Sequence, residues 1–183
     1  MDLLACRIIP VVVLDDARDA EPLAQALVQG GLPVAEVAFQ TAAAAESIAI
    51  MRQFPGLAVG AGRVTNRAQL ESALAAGADF IASPGLRADL VRAAQAAGVV
   101  AIPGAVTPTE ILAAQDLGVD LVRFFPAEVY GGPAAVKALA EPLVAMRFIP
   151  VGGVTPANLA DYLRLSCVPA VGGSWVAPKA VIA

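Results

Sequence analysis

The chain contains no histidine, and that absence alone removes Ser-His-Asp and Cys-His catalysis together with the commonest transition-metal ligand. Amines are almost as scarce: of 12 basic residues only Lys137 and Lys179 are lysines. The two cysteines, Cys6 and Cys167, are far apart and form no CxxC pair, which points to a reducing compartment with both thiols buried. Charged residues make up only 15% of the chain, the net charge is -4, and there is no Lys/Arg run or basic stripe, so nucleic acid is not expected as a partner. No apolar run approaches the ~18 residues of a membrane span, because Arg, Asp, Glu, Gly or Pro interrupts every candidate. The opening MDLLACRIIP has no basic segment followed by an apolar one and a cleavage site, so a secretory leader has no support and a cytoplasmic location is expected. Carboxylates, arginines, hydroxyls and two lysines remain for chemistry.

What is present is apolar and alternating. Hydrophobic residues make up 58% of 183 positions, an excess that fits strands buried on both faces and subunit interfaces. Eight short runs rich in Val, Ile, Ala and Phe read as strands at 8–13, 35–39, 57–61, 80–83, 99–103, 121–125, 147–151 and 169–173. Seven stretches of helical period lie between them. Gly30, Gly77, Gly98 and Gly118 each follow a helical run, where a left-handed C-terminal residue is wanted. Thr107 and Thr155 each precede a proline at a first helical position. Parallel βα units repeating every 20 to 25 residues or so predict an α/β protein of the (β/α)8 barrel class. No linker divides the chain, so one domain over 1–183 is expected. Both ends are short for such a barrel: seven residues precede the first strand, and SWVAPKAVIA is too little for a full eighth helix.

A barrel of this kind carries function at the C-terminal ends of its strands. Polar residues expected there are Glu36, Gln40, Thr41, Arg63, Ser83, Arg123, Glu128 and Ser174. Gly152-Gly153 and Gly172-Gly173 bring backbone N–H groups near the last two strand ends, suiting either a phosphate cradle or plain tight turns. Glu36 stands inside the strand VAEVAF, and alternation points it inward with Val34 and Ala38. It reads either as one half of a structural ion pair or as a general acid/base.

The stretches GAGRV (60–64), FIASPG (80–85), PGAVTPTE (103–110), RFFPAE (123–128), PVGGV (150–154) and VGGSW (171–175), in this order, strongly resemble the 2-keto-3-deoxy-6-phosphogluconate (KDPG) aldolases, which include the 4-hydroxy-2-oxoglutarate aldolases. The resemblance runs from about Arg7 to Lys179. It implies a class I aldolase on a (β/α)8 barrel, usually a homotrimer. Such an enzyme cleaves a phosphorylated 2-keto-3-deoxy sugar acid to pyruvate and glyceraldehyde 3-phosphate through a lysine Schiff base, with no metal or other cofactor. Carried over by residue, Glu36 matches the acid/base glutamate. Pro84 and Phe125 match substrate-lining positions, and Gly152, Gly153 and Ser174, with Gly172 and Gly173 beside it, match the phosphate cradle.

Four positions depart from the pattern. Arg123 stands where KFFPAE has the Schiff-base lysine, Gln40 where an arginine precedes threonine, Arg63 where GAGTV has threonine, and Val151 where PTGG has threonine. Imine formation needs a neutral amine, and a guanidinium keeps its proton at any working pH. Neither Lys137 nor Lys179 falls on an inward strand position. Glu36 and Arg123 are expected to form a buried bidentate pair. Two stretches, 42–51 and Pro142–Met146, look apolar on faces that should carry charge, as interfaces do. Three readings stay open. The chain is a catalytically silent, self-assembling scaffold, natural or engineered, built on a homotrimer or a larger assembly. Alternatively it is a lyase of the KDPG/4-hydroxy-2-oxoglutarate aldolase type or has a related activity on small 2-keto acids through Glu36, or it is a module holding a small anion such as pyruvate or phosphate on Arg63 and Arg123.

Overall fold

The computed structural model describes residues 4–182, so the MDL that opens the stretch read for a leader lies outside them. Strand and helix alternate throughout: β1 (Ile8–Val12), α1 (Ala20–Gln29), β2 (Val34–Ala38), α2 (Ala44–Met51), β3 (Ala58–Gly62), α3 (Arg67–Ala75), β4 (Phe80–Ala82), α4 (Ala88–Ala96), β5 (Val100–Ile102), α5 (Pro108–Asp116), β6 (Leu121–Phe124), α6 (Gly132–Ala140), β7 (Arg147–Pro150), α7 (Leu159–Leu163), β8 (Val171–Gly173) and a short α8 (Lys179–Ile182). Every expected strand is present within two residues at each end. Six strands form one curled parallel sheet in the order β5-β4-β3-β2-β1-β8, and β6 and β7 form a parallel pair. Single bridges from Gly104 to Arg123 and from Val151 to Gly172 join that pair to its neighbours. At three residues each, β4, β5 and β8 leave room for few ladder hydrogen bonds, which is why pairing thins toward β6 and β7.

Alternation sorts the strand residues onto two faces. Ala35 and Val37 of β2, Val59 and Ala61 of β3 and Ile81 of β4 face the helices in one apolar cluster. Val122 and Phe124 of β6 and Phe148 of β7 do so in a second. The opposite faces meet in a third cluster, to which Ile9, Val34, Ala58, Phe80, Ile102, Leu121 and Ile149 bring one residue each from β1 to β7. Both faces are therefore apolar, and this is where the chain's hydrophobic excess goes.

Several local expectations need correction. Gly30 is right-handed at φ -76°; its N–H donates to Ala26, so the helix closes one residue later and the left-handed slot falls on Gly31 at φ 74°. Gly77, Gly98 and Gly118 are left-handed, at φ 84°, 73° and 73°. Thr107 caps α5 with a reciprocal box to Glu110, but Thr155 starts no helix. Its N–H donates to Asn158 Oδ1 and Asn158 Nδ2 to the Gly153 carbonyl, folding the segment into a turn before α7 begins at Leu159. The apolar face expected outside α2 points inward, with Ile48 and Met51 fully buried. In the 142–146 stretch Met146 is buried and Val144 is left exposed. Cys6 and Cys167 are free thiols that are half-buried rather than buried. Burial pushes the Cys167 thiol above its ordinary range despite a backbone hydrogen bond.

Candidate active site

At the carboxyl ends of the strands lies a cavity of about 460 Å³. Arg123 lines it, and Glu36 stands behind Arg123, off the lining, in a buried ion pair. Arg123 Nη1 donates to Glu36 Oε1 at 2.7 Å and Nη2 to Oε2 at 2.8 Å, with both side chains 5% exposed. Glu36 comes from the middle of β2 and Arg123 from β6, and alternation on each strand turns both inward as expected. Room for the pair comes from the glycines of β3. A Cβ on Gly62 would lie 2.0 Å from Glu36 Oε1, and one on Gly60 would lie 2.2 Å from the ring of Phe80. The GAG of that strand is thus needed for close approach by the protein's own side chains. A parallel fork of two charge-assisted bonds satisfies both ions in a place where either alone would be costly.

The walls hold Gln40, Arg63, Pro84, Phe125 and Val151, all named from sequence. Val11, Phe39, Thr65 and Gln69 also line the cavity and were missed. Phe39 ends a run that reads simply as strand. Thr65 precedes the N-cap Asn66 and Gln69 lies in the first turn of α3: Gln69 Oε1 accepts from the Thr65 N–H and hydroxyl at 2.8 and 3.0 Å, and Gln69 Nε2 donates to the Phe39 carbonyl at 3.4 Å. Their spacing of four residues was the available signal. Thr41 and Ser83 serve structure instead, the one donating to the Leu14 carbonyl and the other to the Gly85 carbonyl.

The glycine loops are left-handed at Gly152 (φ 92°) and Gly153 (φ 83°), yet neither they nor Gly172, Gly173 and Ser174 line the cavity. A Cβ on Gly172 would meet Val151, one on Gly173 the Trp175 indole, and one on Gly153 the side chain of Glu128. Glu128 accepts a short hydrogen bond from the buried Tyr162 hydroxyl; burial and then this bond push the phenol well above its ordinary range. Neither lysine reaches the cavity. Lys179 pairs with Asp15, and Lys137 lies in a separate groove with Arg147 and Arg164. Among the described residues no three of His, Cys, Asp and Glu gather as metal ligands, and no helix is long and apolar enough to cross a membrane.

Parallel βα units with a cavity at the carboxyl ends of the strands define an α/β protein whose site is built from strand ends and βα loops. The family described as KDPG and KHG aldolase matches residues 2–183. A 2-dehydro-3-deoxy-phosphogluconate aldolase of Treponema pallidum is 47% identical over 178 residues, covering 97% of this chain and 85% of the relative. The structure of the 2-keto-3-deoxy-6-phosphogluconate aldolase of Zymomonas mobilis with 3-phosphoglycerate superimposes with a TM-score of 0.93 at 42% identity, over 98% of this chain and 89% of that one. A KDPG aldolase from Legionella pneumophila, with pyruvate captured at low pH as a covalent carbinolamine, gives a TM-score of 0.94 at 36% identity, over 98% and 88%. The chain belongs to the KDPG and KHG aldolase family.

Proposed function

We propose that this family member does not run imine chemistry and instead holds a small anion in the inherited cavity without covalent turnover. The observation that carries this reading is the Arg123–Glu36 fork. The residue in the expected lysine position is a guanidinium with both terminal nitrogens engaged, and no lysine lines the cavity. The fork also counts against the lyase reading, because Glu36 is a base only after it leaves two charge-assisted bonds. Relatives crystallised with pyruvate and with 3-phosphoglycerate support small carboxylates as the ligand class. The fold behind this reading is a single (β/α)8 domain over 1–183. Supporting closure are the two bridges that link β6 and β7 to the six-stranded sheet and the inner cluster drawn from seven strands.

The assay is pyruvate release from 2-keto-3-deoxy-6-phosphogluconate, followed for the chain and for Arg123→Lys. The expected outcome is no release by the unmodified chain; turnover comparable to an active aldolase would reject the reading. The scaffold reading draws less support, since Ile48, Met51 and Met146 belong to the core. Homotrimer formation remains what the resemblance implies, and light scattering decides it.

A further inference from the structure

Among the described residues two other than glycine take left-handed backbone, Arg7 at φ 58° and Arg63 at φ 56°, a region that disfavours any residue with a Cβ. The fold accounts for the first. Arg7 donates to the carbonyls of Leu163, Val168 and Pro169, and its own carbonyl accepts from Val171, so it ties β1 to β8. No comparable protein contact accounts for the second. Arg63 is exposed at the cavity wall, and among the described residues no hydrogen bond or ion pair holds its guanidinium. The turn that presents it is fixed on both sides. Before it, Gly62 lies against the Glu36 carboxylate. After it, the Val64 N–H donates to Ala82, and Thr65 is tied to Gln69 and to Arg87.

Charge and shape then define what would bind. The lining carries two guanidiniums and no carboxylate; Glu36 neutralises Arg123, which leaves one uncompensated positive charge, on Arg63. Around it stand apolar walls, Val11, Phe39, Pro84, Phe125 and Val151. We propose that Arg63 is the anion anchor of this cavity and that the ligand is a singly charged short-chain carboxylate whose carbon body lies among those walls. An exposed planar guanidinium takes a carboxylate through two parallel bonds. A second anionic group would find no free cation, and a free phosphate would leave the apolar walls unused. This assignment rests on the binding reading above.

The test is thermal unfolding of the full chain, Arg63→Gly and Arg63→Lys against pyruvate, propionate and inorganic phosphate. Pyruvate and propionate should raise the midpoint of the unmodified chain, with phosphate weaker. Arg63→Gly should fold with an equal or higher midpoint without ligand, because glycine takes this backbone freely, and its Kd for pyruvate should rise about tenfold to a hundredfold. Arg63→Lys should keep part of the response. Binding by Arg63→Gly equal to that of the unmodified chain overturns the anchor and leaves the binding reading intact. A phosphate response as strong as pyruvate's overturns the carboxylate assignment. If the unmodified chain responds to none of the three, both readings fall.

Discussion

Two arginines border one cavity in opposite states. Arg123 is 4% exposed, forked onto Glu36 and inseparable from it; Arg63 is exposed and unengaged, on a backbone that no protein contact of its side chain explains. Residue type alone therefore says little about what a cation does. A buried guanidinium must be satisfied by the fold, so it becomes part of the structure. An exposed one on a disfavoured backbone is held by its neighbours for some use outside the chain's own packing. The two differ in what their removal should cost, and that difference can be measured.

The largest effect is expected from Glu36→Ala. Leaving Arg123 buried and unpaired should lower stability by about 3–5 kcal/mol in urea unfolding, and pairing it with Arg123→Met should recover much of the loss; a loss near zero would mean that the pair is open to water. Next comes Gly62→Ala, which drives a methyl into the Glu36 carboxylate and should cost about 1–3 kcal/mol by overpacking. Thr107→Ala, far from the cavity, supplies the scale, at about 1 kcal/mol for a lost helix cap. Its pH dependence follows from Glu110. Burial raises that carboxyl, but hydrogen bonds from the Val106 and Thr107 N–H groups and the Thr107 hydroxyl outweigh it, so the net shift is downward. A lowered folded value gives stability that is present above the ordinary carboxylate range and lost as pH falls through the folded value. The gap between Thr107→Ala and the unmodified chain should therefore narrow in acid. The smallest effect, of opposite sign, belongs to Arg63→Gly. Relief of the left-handed backbone, partly offset by extra freedom in the unfolded chain, should leave stability unchanged or raised by up to about 1 kcal/mol. A loss of more than that would make Arg63 a structural residue like Arg7.

The parts that strict periodicity governs could be read from sequence. Short apolar runs located all eight strands, alternation turned Glu36 inward, and charge complementarity paired it with Arg123 across 87 positions of chain. Position along the strands also set Lys137 and Lys179 apart from the inward-facing Arg123. What could not be read depends on partners distant in sequence. The GAG of β3 was legible only as part of a family motif, and its physical reason appears once Glu36 and Phe80 are seen lying over Gly62 and Gly60. Gly152, Gly153, Gly172 and Gly173 read either as a phosphate cradle or as tight turns, and only tertiary packing shows Val151, Glu128 and Trp175 against the Cβ side of three of them. Ile48 and Met51 read as surface because helical period alone does not say which side of α2 meets the sheet. Phe39 and Gln69 entered the site through a side-chain-to-backbone bond between the first turn of α3 and the residue after β2, which no local pattern announces.

The amine missing from the cavity separates an anion-binding protein from a Schiff-base enzyme. Incubation with pyruvate and borohydride, followed by intact mass, reads imine formation directly. The expected result is no reduced pyruvate adduct on the unmodified chain. An adduct at stoichiometric yield, mapped to Lys137 or Lys179, would contradict it and restore a Schiff-base enzyme.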